Sequence, residues 1–444
     1  MKRKFIAIAA GVAVSAAMAV PAMALENEFH GMYKFVGYES NFFNGTTFSP
    51  AEASARLNND SHSGFFAEQR ARLQYIAKAN DNLKLVTHFE LDARFGGKTG
   101  TYLGANNDAG NIDADQLTLE TKNVFLDFNT FDTNFKVGIQ PWNDAYKSLF
   151  LLADMTGVSV TKKFDPITAS VAWFRFDDDG GAATTAGDLS ADLITVDAKF
   201  AVNKDLIIGA NYYNVQNDTG AAATAFELLH MFGVNASAKL GPAAVDVFAA
   251  YQMGDFNEVA GRDLEGYMFG TTGKVKVANG AVNFAGFYLS GDTSTTAGDV
   301  GAFQTIGRNQ TYFNPANMWL LVRNGQAINS STSVLGNDMT VGGRGMWGAF
   351  AGYEGKVDKM FYNANAGYAE TAHSFANQKK SLGTEVNLQV GYNIFDNLQA
   401  SVAGAYLLLG DALGGEAGQR IPTSSATVDA DDPWMAAVLL SYTF

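Results

Sequence analysis

The feature that most constrains this chain is a two-residue alternation that returns in one segment after another. From Leu83 to Phe95 the odd positions read Leu, Leu, Thr, Phe, Leu, Ala and Phe, while the even positions read Lys, Val, His, Glu, Asp and Arg. A strand sends alternate side chains to opposite faces, so one face here is apolar and the other carries five ionisable groups. The split recurs from Leu382 to Ile394, where Leu382, Thr384, Val386, Leu388, Val390, Tyr392 and Ile394 oppose Gly383, Glu385, Asn387 and Gln389. It returns at Ile194–Val202 and Leu398–Leu408.

Reading the whole chain this way predicts eighteen strands, at about 29–38, 65–78, 83–95, 117–128, 134–141, 157–164, 167–176, 192–202, 206–216, 228–240, 243–253, 265–278, 281–290, 345–357, 360–370, 382–394, 398–409 and 434–444. Alternation is muddled at 117–128 and 157–176, and losing one hairpin would leave sixteen. The connections alternate in length. Short ones carry turn residues: Asn80-Asp81-Asn82, Asp165-Pro166, Asn203-Lys204-Asp205, Gly241-Pro242, Asn279-Gly280, Asp358-Lys359 and Asp396-Asn397. Between them lie long loops rich in Gly, Ser, Thr, Asp and Asn, at 39–64, 96–116, 177–191, 217–227, 291–344 and 410–433. Short turns on one side and long loops on the other are the pattern of an outer-membrane barrel. Open strand edges in hydrocarbon would leave backbone groups unpaired, so a spanning sheet must close. The expected fold is an all-β, transmembrane, antiparallel up-and-down barrel, with short turns and both termini on the periplasmic side.

Residues 1–24 read as a cleaved signal peptide. Lys2, Arg3 and Lys4 form a basic start, Phe5–Val20 is apolar, and Ala22-Met23-Ala24 after Pro21 matches a small-residue cleavage signal, with cleavage after Ala24. The expected barrel is then 25–444. Loss of three cations and no acid takes the formal charge from −14 to −17, which disfavours nucleic acid as a partner. Beyond Ala24 no uninterrupted apolar run reaches the length of a membrane helix. Only 17% of residues are charged, below the roughly 25% of soluble proteins. The absence of Cys excludes disulfides, thiolate metal sites, a catalytic cysteine and covalent c-type haem.

The end of the chain, Trp434-Met435-Ala436-Ala437-Val438-Leu439-Leu440-Ser441-Tyr442-Thr443-Phe444, resembles the closing strand of Gram-negative outer-membrane proteins. Segments 382–411 and 125–142 are similar to porin strand–turn–strand units, of both diffusion porins and the alginate-export type of 18-stranded channel. The resemblance implies that Tyr442 and Phe444 belong to the signal read by the barrel-assembly machinery. It also implies a trimer set in outer-membrane lipid and lipopolysaccharide. One departure stands out. The third loop, Trp142 to Thr156, carries Asp144, Lys147 and the run Leu149-Phe150-Leu151-Leu152 in place of the acidic inward loop of trimeric porins.

Other motifs carry no chemistry. Gly343-Arg344-Gly345-Met346-Trp347-Gly348 spells G-x-G-x-x-G, but a strand pattern follows where a dinucleotide site needs a helix. Gly96-Gly97-Lys98-Thr99 lacks the first P-loop glycine, since Asp92 stands there. Asp177-Asp178-Asp179-Gly180 lacks EF-hand spacing, and it reads, like Asp429, Asp431 and Asp432, as a solvated acidic loop. The five His residues form no zinc motif, and no nucleophile–base pair is evident, so neither cofactor nor metal nor enzymatic activity is expected.

The informative charges are those of inward parity: Glu68, Arg70, Arg72, Lys84, His88, Glu90, Asp92, Arg94 and Lys136. Rings of such side chains set selectivity in ion-conducting pores. A turn centred on Asp81 places Arg72 opposite Glu90, Arg70 opposite Asp92 and Glu68 opposite Arg94, all of opposite sign. The longest loop, 291–344, holds Phe303, Tyr312, Phe313, Met318, Trp319, Leu320 and Leu321, too much apolar surface to leave in water. It is expected to fold over or into the barrel mouth. The reading that follows is a porin, a passive channel for small hydrophilic solutes or ions. A substrate-selective channel for sugars or an anionic polysaccharide, and a barrel scaffolding a partner such as a periplasmic cytochrome, stand as alternatives.

Overall fold

The computed structural model describes residues 25–42, 63–96, 119–178, 187, 189–219, 226–257, 261–292, 298–307, 311–323, 325–326, 328, 332–336, 338–374, 379–413 and 431–444. The cleavage site after Ala24, Gly97–Thr99, Asp179–Gly180 and Asp429 lie outside these described residues. The strands are β1 (Glu26–Ser40), β2 (Gly64–Asn80), β3 (Leu83–Arg94), β4 (Glu120–Thr130), β5 (Thr133–Asn143), β6 (Leu152–Phe164), β7 (Ile167–Asp177), β8 (Ala191–Asn203) and β9 (Leu206–Asn217). They continue as β10 (Leu228–Leu240), β11 (Ala243–Asn257), β12 (Arg262–Val277), β13 (Gly280–Leu289), β14 (Met346–Val357), β15 (Met360–Thr371), β16 (Ser381–Phe395), β17 (Leu398–Leu409) and β18 (Trp434–Thr443). Every strand pairs antiparallel with its sequence neighbours, and β1 pairs with β18 from Met32↔Thr443 to Ser40↔Met435. The sheet is closed: an 18-stranded transmembrane up-and-down barrel.

The faces follow the alternation. Val386, Leu388, Val402 and Val438 point outward and are about half exposed, whereas Glu68, Gln252 and Glu385 of inward parity are fully buried. Hydrophobic side chains outside and polar ones inside suit a barrel bathed in lipid and filled with water.

Two details depart from the sequence reading, and one turn that it places between 128 and 134 has an unusual make-up. Leu382 was expected on the outer face but is buried, because the register shifts between Ala369 and Glu370 of β15 as it pairs with β16. A bulge puts two residues opposite one and turns the side chain before it to the other face. The third loop is shorter than Trp142–Thr156: β5 and β6 stay paired up to Asn143↔Leu152, which leaves 144–151 as the loop. The β4–β5 turn is made by Phe131 and Asp132, at φ 51° and 54°. Two left-handed residues in a two-residue hairpin normally call for Asn-Gly, so a phenylalanine there hides the turn from a reading by residue type.

Closure is completed at the terminal strand. Phe444 donates its N–H to the Gly31 carbonyl at 3.0 Å and accepts the Gly31 N–H at 2.9 Å. A Cβ on Gly31 would fall 2.3 Å from the Phe444 ring, so only glycine lets that ring lie across β1. Tyr442 stacks beside it, ring centroids 5.6 Å apart.

Adjacent positions on β16 test the two faces. Leu388→Arg, on the outer face, should cost about 2–4 kcal/mol at mid-membrane depth, while Gln389→Arg, on the inner face, should cost little. Urea unfolding of vesicle-embedded barrels measures both, and equal costs would contradict the assignment of faces.

Candidate functional site

The inner face of β2 and β3 carries a ladder of opposite charges. The pairing places Glu68 opposite Arg94, Arg70 opposite Asp92 and Arg72 opposite Glu90, the register expected from a turn at Asp81. Arg70 donates to Asp92 from Nε at 2.7 Å and also through Nη2. Its Nε lies 3.3 Å from Glu90, and Arg72 donates to the same Glu90 carboxylate. The cation row extends to β1, where Lys34 pairs across the strands with Arg70.

The remaining expected wall residues continue around the same arc. Lys84 lies 3.3 Å from Asp127 on β4, and His88 Nδ1 is 3.4 Å from Asn123. Lys136 on β5 stands opposite Asp127 and over the Phe125 ring at 5.6 Å, and Arg94 lies 5.7 Å from the Phe66 ring centroid. Cross-strand pairs of opposite sign are worth roughly 0.2–1 kcal/mol each, so the ladder contributes register and local field more than stability.

Two loops pack against inward-facing side chains. In the short one, Asp144 gathers four backbone N–H groups: Tyr146 and Ser148 donate to Oδ1, Phe150 and Leu151 to Oδ2, all within 2.7–2.9 Å. Burial pushes the Asp144 pKa above the ordinary aspartate value, and those four hydrogen bonds pull against it. The loop's Tyr146 is fully buried, its ring edge-on to Tyr213 at 5.9 Å. A Cβ on Gly233 of β10 would sit 1.8 Å from the Tyr146 hydroxyl, so the glycine makes the seat for this ring.

The second loop joins β13 to β14. Its Phe303, Phe313, Met318, Trp319, Leu320 and Leu321 are buried at 2% exposure or less. One carboxylate on the far wall holds it. Glu385 of β16 accepts the backbone N–H of Trp319 at 2.7 Å, of Leu320 at 2.9 Å and of Leu321 at 2.7 Å. Asn387 adds a bond from Nδ2 to the Asn317 carbonyl at 2.9 Å. Three and four strands further round, on β1 and β2, Lys34 donates to the Gln326 carbonyl and Arg70 Nη2 to the Ile328 carbonyl at 3.0 Å. Gln252 of β11 donates to the Gln304 carbonyl at 2.9 Å. The loop touches its shorter neighbour where Tyr312 N–H meets the Ser148 carbonyl at 2.9 Å. The described part of the loop is thus bonded to β1, β2, β11 and β16, so it crosses the inside of the barrel.

The wall residues named from the sequence therefore lie together on β2–β5, and β1 adds Lys34. Sequence reasoning placed Glu385 and Asn387 on the polar face without a role, and it saw Asp144 only as a loop acid. Their signal was faint: Glu385 is the sole acid on an inward face otherwise made of Gly, Asn and Gln. Among the described residues no group of three His, Asp or Glu could hold a metal ion. The arrangement places a charged arc on one side of the barrel interior and a loop across it.

Comparison with solved structures gives the architecture a context. The chain is similar to OccAB4 of Acinetobacter baumannii at 14% identity and TM-score 0.57, to OccK8 (OprE) of Pseudomonas aeruginosa at 13% and 0.56, and to P. aeruginosa OccK2 (OpdF) in complex with glucuronate at 11% and 0.54. Each match covers 94% of this chain and 98% of the other. The fold is that of an outer-membrane porin. No family model matches the sequence, and no curated protein matches it.

The Glu385 anchor makes a direct prediction. Glu385→Ala leaves three buried N–H groups without an acceptor, at about 1–3 kcal/mol each. The loop should detach from β16, and single-channel conductance and current noise should rise. Glu385→Gln keeps one acceptor oxygen and should fall between. Identical traces for wild type and both variants would show that the anchor does not hold the loop.

Proposed function

We propose that this chain is a passive outer-membrane channel through which small hydrophilic solutes or ions cross down their gradients. The observation that carries the reading is a closed barrel, apolar outside and polar inside, whose interior is crossed by a loop held on opposite walls by Arg70 of β2 and Gln252 of β11. The mechanism involves no covalent step. The barrel removes the hydrocarbon barrier, the loop sets the aperture, and the wall charges set the field that a passing ion meets. The placement of Glu68, Arg70, Arg72, Lys84, His88, Glu90, Asp92, Arg94 and Lys136 on one arc supports their role as lumen lining. With this reading go residence in outer-membrane lipid beside lipopolysaccharide, export by the signal ending at Ala24, insertion by the barrel-assembly machinery and a homotrimeric state.

Planar-bilayer recording across a salt gradient tests it. Stepwise conductance with a defined reversal potential is expected, and a closed barrel under all conditions would overturn the proposal. Reversing Arg70 and Arg72 to Glu sets like charges against Asp92 and Glu90, so the reversal potential should move toward cation selectivity.

A second reading, preference for anionic solutes, has its own support. Lys34 and Arg70 both donate to loop carbonyl oxygens inside the barrel, which supports a reach of their donors into the lumen. The similar P. aeruginosa structures include OccK2 in complex with glucuronate and OpdK with vanillate, both carboxylates. Under this reading carboxylate salts shift the reversal potential more than chloride does, and Arg70→Gln abolishes the difference.

A further inference from the structure

Across the barrel from the charged ladder, the inner faces of β11–β15 and the 3-10 turn Asn314–Ala316 of the long loop line a cavity of about 400 Å³. That is within the size range of small-molecule sites. Its charges are already matched. Lys274 pairs with Glu354, whose other oxygen accepts Asn283 Nδ2 at 2.9 Å. Asp246 accepts Lys147 Nζ at 2.8 Å, Thr272 Oγ1 at 3.3 Å and the Ser237 hydroxyl. Two cations and two carboxylates leave no net charge, and both acids are supplied with donors by the protein itself. An anion entering here would meet Asp246 and Glu354 as well as the lysines.

What the cavity offers instead is carboxamide. Asn365 spends Nδ2 on Asn363 and Asn387, each at 2.8 Å, and Asn314 spends Oδ1 on the Gly325 N–H at 2.8 Å. With Asn283 Nδ2 on Glu354, the Oδ1 atoms of Asn283 and Asn365 and the Nδ2 of Asn314 have no bonding partner among the described residues. Acceptors and a donor side by side match a hydroxyl group, which both gives and takes a hydrogen bond. Phe350 lines the same cavity from inside the barrel and presents apolar surface to the C–H face of a ring. Gly352 makes room for the Asn365 amide: a Cβ there would fall 2.0 Å from Asn365 Oδ1.

We infer that this cavity is a subsite for neutral polyhydroxylated solutes of monosaccharide size, separate from the charged ladder. The inference rests on the channel reading and names a solute class for it. Glucose, added to purified wild-type barrels in a planar bilayer in potassium chloride, is the probe. Concentration-dependent interruptions of the current are expected. Asn283→Leu and Asn314→Ala should each weaken that block by about three- to tenfold, the worth of one or two neutral hydrogen bonds, while conductance in salt alone stays within about twofold. Asn283 lies in the wall and Asn314 on the loop, so the test survives if one variant fails to assemble. Conductance without any effect of glucose, or a block unchanged in both variants, overturns this inference and leaves the channel reading standing. Absence of conductance overturns the channel reading itself.

Discussion

Everything in this molecule depends on the requirement that backbone N–H and C=O groups be paired where no water can reach them. In hydrocarbon each orphaned group costs several kcal/mol, so a sheet can cross only if its first strand finds its last. The pairing of β1 with β18 over nine residue pairs meets that demand. Strand length, alternation and the short hairpins are then consequences: each strand has to reach across, show lipid one face, and return at once.

The same requirement, met differently, organises the interior. Loop backbone inside a barrel has no ladder to join, so its N–H groups need acceptors from side chains. Asp144 collects four of them and Glu385 three. Both acids are spent as surrogate carbonyl groups rather than as free charges. The inward charges not tied up by loop N–H groups are the ladder on β2–β3 and its continuation to Lys84, His88 and Lys136. An inventory of inward acids would overstate the negative field, because Glu385 faces bonded N–H groups.

Most of the fold was legible because its code is local. Parity, turn residues and the spacing between them place strands such as Leu228–Leu240 and Leu398–Leu409 at their observed bounds, and the Asp81 turn gives the register of the charged ladder. The misreadings have local causes too. The bulge before Gly383 flips Leu382, and β5 and β6 stay paired to Asn143↔Leu152, which shortens the third loop. The interior is another matter. That apolar residues of 291–344 must be buried follows from composition, but where they dock is decided by Glu385, 64 to 66 positions downstream of the N–H groups it holds. Contacts at that separation leave no periodic trace. The carboxamide cavity is hidden for the same reason, since five strands and one loop turn build it.

Because β16 follows the long loop in the chain, the aperture is inspected by a strand made after it. A slip of β16 by one residue would turn Glu385 to lipid and withdraw the acceptor from all three N–H groups at once. An incorrectly zipped barrel would then hold its long loop only by the anchors on β1, β2 and β11. The docking of the loop on β16 and the register of that strand are thus tied to one side chain.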